Sequence, residues 1–103
     1  MLTIADRIDA DMRTLTRDAF LASRNAIDLV AFRLASLGEY ANKLAPDLKA
    51  RHPDVDWNGA YRLRNVIAHD YDGINGALIW TTAGEPLAKM VAACRTELEA
   101  GNA

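Results

Sequence analysis

The chain has 103 residues, of which 50% are hydrophobic and 25% are charged, and its formal net charge is −2. This composition excludes a disordered chain, and no apolar run reaches the ~20 residues that a membrane span needs. The net negative charge also argues against a protein that binds nucleic acid tightly through its overall electrostatic field, although it allows a small local basic site. The length predicts one domain over residues 1–103 with one core.

The first ten residues carry Asp6, Arg7 and Asp9 where a secretion signal would have an apolar run, so we expect a cytoplasmic protein. Cys94 is the single cysteine and cannot form an intramolecular disulfide, so its expected role is that of a small buried hydrophobe. The acidic residues show no paired spacing with histidine that would form a metal site. We therefore predict no metal and no cofactor.

Hydrophobic periodicity predicts helices along the chain and no strands. Thr3, followed by an acid three residues later, predicts the start of a short first helix. Ser23 predicts the cap of a long second helix that runs to about Leu44, with apolar residues at i, i+3, i+4 and i+7. Gly38 interrupts this helix, which suits the close approach of another helix.

Asp56 predicts the N-cap of a third helix over residues 57–69, and Asn75 predicts the N-cap of a last segment that ends near Leu98. Pro86 lies inside that last segment and predicts a break between residues 82 and 85. These elements predict an all-α fold, an antiparallel bundle of four to five helices.

The segment over residues 62–71, RLRNVIAHDY, concentrates polar side chains on a helix that also has a core to fill. At about 100° per residue, Arg62, Asn65 and His69 fall on one flank of the apolar stripe, and Arg64 falls on the other. Arg64 and His69 are therefore not side by side on a regular helix. They can converge if the helix end unwinds, or if two copies of the helix meet across a dimer axis.

An imidazole can exchange a proton with a 2′-hydroxyl or a leaving oxygen near neutral pH. A guanidinium is a fixed, forked cation that suits the charge of a phosphorane-like transition state. His69 and Arg64 could thus cleave RNA without a metal, with the 2′-hydroxyl as nucleophile and a 2′,3′-cyclic phosphate and a 5′-hydroxyl as products. The alternative is that both are solvated or capping groups, which is the commoner role for such residues on a helix flank.

Residues 64–71, RNVIAHDY, resemble the R-x(4)-H-x-Y signature of HEPN ribonucleases, in the R-N-x-x-x-H-D-Y form of the HepT-like toxins. Upstream, residues 37–44, LGEYANKL, resemble the I-G-E-A-A-x-x-L helix of the same family. The likeness covers roughly residues 20–95. It implies a HEPN-like helical bundle that dimerises through the motif-bearing helices, with the active cleft at the interface.

The resemblance further implies a metal-independent endoribonuclease toxin of a type II toxin–antitoxin system, whose partner is an MntA-type nucleotidyltransferase antitoxin. In that family the antitoxin can silence the toxin by transferring AMP to the tyrosine of the motif, here Tyr71. The alternative for Tyr71 is an aromatic residue at the helix end that packs on the core and keeps its hydroxyl in water. Position by position, the resemblance makes Arg64 the electrostatic stabiliser and His69 the general acid or base. It makes Asn65 a polar contact that orients His69 or the phosphate, and it makes Asp70 a residue that either orients an arginine or caps the end of the helix.

Several alternatives remain open. Arg62 lies outside the motif and could bind the RNA backbone or be a solvated surface residue. His52, in a small basic cluster, could line an RNA path, although a solvated turn is the favoured interpretation. Trp57 and Trp80 could stack on bases, but core packing is commoner for such residues. The alternative function is a non-catalytic helical adaptor that binds a nucleotidyltransferase, which the net negative charge favours.

Overall fold

The computed structural model describes residues 1–69 and 73–101, and over these residues it contains α-helices and no strand. Four helices have 12 residues or more, and three helices of five to seven residues connect them. The helices in chain order are α1 (Leu2–Arg13), α2 (Arg17–Leu21), α3 (Arg24–Lys43), α4 (Pro46–Ala50), α5 (Trp57–His69), α6 (Gly76–Thr82) and α7 (Glu85–Glu99). The all-α prediction is confirmed, and the four long helices are those that periodicity predicts.

Side-chain caps fix four of the helix starts, those of α2, α3, α5 and α6, because each cap accepts a hydrogen bond from an otherwise unpaired amide of the first turn. The three predicted caps are Ser23 (3.1 Å from the Ala26 nitrogen), Asp56 (2.9 Å from the Gly59 nitrogen) and Asn75 (2.9 Å from the Ala77 nitrogen). The prediction for Thr3 is wrong, since α1 begins at Leu2 and its N-cap, Met1, makes no side-chain cap hydrogen bond.

The predicted break in the last segment is confirmed. Helix α6 ends at Thr82, and α7 begins at Glu85 with Pro86 in its first turn. Proline is tolerated there because the amide that it lacks would have no partner inside the helix. Within residues 1–69 and 73–101, no helix combines the length and the apolar character that crossing a membrane requires.

The core is centred on α3, which packs most extensively on α5 and also contacts α1, α2 and α6. The four largest fully buried side chains of the core are Ile8, Phe20, Val30 and Ile79. Trp57 is buried and its Nε1 donates to the His52 carbonyl at 3.1 Å, while Trp80 packs on Phe20 with ring centroids 5.3 Å apart. Cys94 is also buried, and burial raises the pKa of its thiol.

The α3–α5 contact depends on Gly38. A Cβ at this position would lie 2.6 Å from the Ala60 carbonyl oxygen and 3.1 Å from the Arg64 Cβ. No real side chain fits at such distances, so the two backbones approach as closely as they do only because residue 38 is glycine. The close approach predicted from the sequence is confirmed, and it places the start of the polar segment of α5 directly against α3.

A buried acid holds the far end of α7 against the chain that leads from α4 to α5. Glu97 is only 3% exposed, and the Arg51 Nε donates to its Oε1 at 2.7 Å while Arg51 Nη2 forms an ion pair with the same oxygen. The His52 Nε2 lies 3.5 Å from the other carboxylate oxygen. The solvated turn favoured for His52 is therefore wrong, because its side chain is 17% exposed and packs beside Glu97.

We expect the Glu97 cluster to make folding sensitive to acid. The Arg51 hydrogen bond lowers the pKa of Glu97, burial opposes this by raising it, and His52 lowers it further. A folded-state pKa below the unfolded value stabilises the protein above the unfolded pKa, and this stability is lost as pH falls through the folded pKa. Glu97→Gln should therefore unfold at a lower urea concentration at neutral pH and should lose less stability on acidification than the wild type.

The measurement is urea unfolding followed by far-UV circular dichroism at steps from neutral pH down to about pH 3. Glu99→Gln is the matched control, since Glu99 is an exposed acid on the same helix. If Glu97→Gln and Glu99→Gln give the same dependence of the unfolding midpoint on pH, the ion-paired Glu97 does not contribute as argued.

Candidate active site

The polar segment of α5 presents Arg64 to α3. The Arg64 Nη2 forms an ion pair with Glu39 Oε1, and its Nη1 donates to Asn65 Oδ1 at 2.9 Å. The Arg64 Cζ also lies 5.9 Å from the centroid of the Tyr61 ring. Both members of the ion pair are about one third exposed, at 35% and 36% of their side-chain surface. The guanidinium is thus held in one orientation while it remains accessible to a ligand.

Glu39 does not prevent a phosphate from reaching this guanidinium. An ion pair that is exposed to this degree contributes only about 0.2–1 kcal/mol. A phosphate offers a guanidinium a bidentate, charge-assisted pair, which is among the stronger hydrogen-bonding arrangements in proteins. The Arg64 side chain can therefore exchange part of its contact with Glu39 for a phosphate oxygen, or contact both.

His69 is the last residue of α5 and is exposed. Among the described residues, no hydrogen bond or ion pair joins it to Arg64. Arg64 contacts Glu39 on α3. Five positions along a regular helix separate Arg64 from His69 by about 140° around the helix axis. The prediction that a single helix does not place these two side chains together is consistent with this arrangement.

The flank predicted for Arg62, Asn65 and His69 is not a cluster in the structure. Arg62 is exposed and lies 3.5 Å from Asp56, the N-cap of its own helix. Asn65 turns its amide oxygen to Arg64 instead. Asp70 and the motif tyrosine, Tyr71, lie outside the described residues.

Within residues 1–69 and 73–101, no group of three or more His, Cys, Asp or Glu side chains is arranged to hold a metal ion. A cavity of about 720 Å³ opens between α5 and the α6–α7 hairpin. None of the described motif side chains lines it, so this cavity does not belong to the candidate active site.

Comparison with known proteins identifies the family. The chain matches the family model described as "Ribonuclease HepT-like" over residues 1–96. The chain belongs to the HepT-like family. The HEPN resemblance carried by residues 37–44 and 64–71 is thereby confirmed.

The chain is similar to three proteins whose names describe them as RNases. It is 36% identical over 66 residues to "Putative RNase MJ0127" of Methanocaldococcus jannaschii, covering 64% of this chain and 54% of that protein. It is 26% identical over 80 residues to "Probable ribonuclease HepT" of Thermococcus cleftensis, covering 78% and 73%. It is 32% identical over 57 residues to "Putative RNase MJ1380" of M. jannaschii, covering 55% and 52%. The matches span about half the length of both M. jannaschii proteins, and no solved structure matches the chain significantly.

Glu39 is the residue of this HepT-like site that the sequence analysis did not assign. The available signal was its position next to Gly38, because a glycine that admits a neighbouring helix also places the next side chain at the helix–helix boundary. Periodicity alone does not identify the partner helix or the residue on it. The ion pair with Arg64 therefore became visible only in the folded chain.

Proposed function

We propose that this HepT-like chain is an endoribonuclease that cleaves RNA without a metal, with Arg64 and His69 as its catalytic residues. One observation carries the proposal: Arg64 is fixed by Glu39 and Asn65, yet open to a ligand, on the helix that ends at His69. The names of the three relatives, each an RNase, support the same activity.

In the proposed reaction the 2′-oxygen of a ribose forms a bond to the adjacent phosphorus, and the bond from phosphorus to the 5′-oxygen of the next nucleotide breaks. His69 takes the proton of the 2′-hydroxyl or gives a proton to the leaving 5′-oxygen, and water exchanges the other proton. Arg64 binds the non-bridging phosphate oxygens, whose charge increases in the transition state. The products are a 2′,3′-cyclic phosphate and a 5′-hydroxyl.

The active cleft in this proposal is shared by two copies of the chain. Arg64 and His69 make no described contact within one chain. A two-fold axis beside α5 would bring Arg64 of each copy near His69 of the other copy. Large apolar side chains stay exposed on both helices, since Leu29 and Tyr40 on α3 are 42% and 51% exposed and Val66 on α5 is 53% exposed. A second copy that covers them would also add to the limited core that a chain of this length can form.

We further propose that the chain is the toxin of a type II toxin–antitoxin pair that acts in the cytoplasm and is silenced by an MntA-type nucleotidyltransferase antitoxin. The proposed modification is transfer of AMP to Tyr71. Tyr71 lies seven residues after Arg64, and an AMP group near the guanidinium would compete for it with its own phosphate. This part of the proposal rests on the family resemblance of the motif.

The test uses the purified chain and a single-stranded RNA in the presence of EDTA. We expect fragments that end in a 2′,3′-cyclic phosphate and a 5′-hydroxyl, and growth arrest when the chain is expressed without an antitoxin. The matched control is the same oligonucleotide with 2′-deoxyribose throughout, which should stay intact because it lacks the nucleophile. Cleavage that leaves a 3′-hydroxyl, or that stops in EDTA, would contradict the mechanism. A folded chain that cuts no RNA would instead favour the non-catalytic adaptor.

A further inference from the structure

A groove of about 360 Å³ runs between α3 and α5 beside Arg64. Two charged side chains, Asp28 and Arg64, line it together with apolar side chains that include Phe32, Ile67 and Ile74. We infer that this groove binds a guanine base of the RNA, next to the phosphate that Arg64 holds. The inference rests on the proposed function and adds a base preference to it.

The apolar part of the groove suits a flat aromatic ring. Phe32 is 68% exposed, which is the largest value among the exposed large hydrophobic side chains of the described residues. Ile67 and Ile74 are buried and form a rigid apolar surface in the same groove. Its volume lies at the small end of the range for ligand pockets. A base splayed out of a single strand can stack on such an aromatic face, and stacking alone accepts any base.

The selectivity comes from Asp28. An ionised carboxylate only accepts hydrogen bonds, and its two oxygens can take two parallel donors. On its Watson–Crick edge, only guanine has two adjacent donors, the N1–H and the N2 amino group. Adenine and cytosine each place one amino donor beside a ring-nitrogen acceptor, and uracil has one N–H between two carbonyls. The carboxylate therefore selects guanine.

Arg24 orients Asp28 towards this role. The Arg24 Nη1 lies 3.5 Å from Asp28 Oδ1, and the same nitrogen donates to the Ile74 carbonyl at 3.2 Å. The Asp28 side chain is 30% exposed, so it is held at the edge of the groove but remains open to a ligand. Since Asp28 and Arg64 line one groove, a single guanosine can contact Asp28 with its base and Arg64 with its phosphate.

The experiment compares cleavage of single-stranded oligoribonucleotides that differ only at one position, with guanosine, adenosine, cytidine, uridine or inosine there. The wild type should cleave beside guanosine about 5- to 150-fold faster than beside the other standard bases, the range for one bidentate base contact. Inosine lacks the N2 amino group and should be cleaved more slowly than guanosine. Asp28→Asn should abolish the guanosine preference, while Asp18→Asn, an exposed acid on α2, should keep it.

Binding of the matching 2′-deoxy oligonucleotides, followed by fluorescence anisotropy, separates this inference from the proposed function. Cleavage without a guanosine preference, or with a preference that Asp28→Asn leaves unchanged, would overturn the base site and leave the ribonuclease intact. A guanine preference in binding without any cleavage would support the guanine site in the groove and contradict the proposed cleavage reaction. If Asp28→Asn or Phe32→Ala alters the oligomeric state instead of base preference, the groove is covered by a second copy of the chain and the inference fails.

Discussion

His69→Ala is expected to slow RNA cleavage by about 10²–10⁴-fold, the range for removing a positioned general acid or base. Arg64→Ala should slow it by about 10²–10³-fold, because a fixed cation no longer meets the charge that develops on the phosphate. Arg64→Lys should recover little, since an ammonium does not reproduce the forked, bidentate contact. The measurement is the single-turnover rate constant for a defined oligoribonucleotide with each folded variant.

The matched control for Arg64 is Arg95→Ala, because Arg95 is an exposed arginine on α7 whose guanidinium lies 3.5 Å from Asp6 and far along the chain from the motif. Arg95→Ala should keep the wild-type rate. A folded His69→Ala chain that cleaves as fast as the wild type would remove His69 from the reaction, whatever Arg64 does.

Mixing the two inactive variants tests whether the cleft is shared. A heterodimer of Arg64→Ala and His69→Ala retains one pair made of Arg64 from one chain and His69 from the other. With free subunit exchange, half of the dimers are mixed and half of their sites are intact, so about a quarter of wild-type activity should return. If Arg64 and His69 acted within one chain, every site in the mixture would lack one of them, and no activity would return.

The sequence predicts most of the backbone because local chemistry fixes it. Ser23, Asp56 and Asn75 each satisfy amides within three residues of themselves, so the helix starts that they set are independent of the rest of the fold. Pro86 likewise acts locally. The Thr3 prediction was wrong because a helix that begins at Leu2 gains two residues, about half a turn, over one that Thr3 caps.

The long-range ion pairs could not be predicted in the same way. Glu97 and Arg51 are 46 residues apart, and Glu39 reaches Arg64 from a different helix. In the sequence these acids are charges at helical positions, and nothing in their local pattern distinguishes a solvated carboxylate from a buried one. The partner of each acid depends on how the helices pack. That packing depends in turn on where a small residue allows two helix backbones to come close together.

Gly38→Val is expected to lower the free energy of unfolding by about 3 kcal/mol, the upper part of the usual range for overpacking. The new Cβ would lie 2.6 Å from the Ala60 carbonyl oxygen, and a backbone atom inside a helix cannot move aside as a flexible side chain can. Gly38→Ala should cost less, because alanine recovers about 1 kcal/mol of helix propensity against the same contact. The measurement is urea unfolding at one fixed protein concentration, since a dimer would make stability depend on concentration.

Ser36→Val is the control, because it places the same β-branched residue in the same helix at a partly exposed position. It should change the free energy of unfolding by much less than Gly38→Val. A Gly38→Val chain as stable as the wild type would mean that α3 and α5 are farther apart than the structure has them. Where the variant still folds, the enforced separation of α3 from α5 must also draw Glu39 away from Arg64. The cleavage rate of Gly38→Val should therefore fall even at temperatures where the variant stays folded. The reason is that Gly38, which lets α5 approach α3, also sets the position of the Arg64 guanidinium.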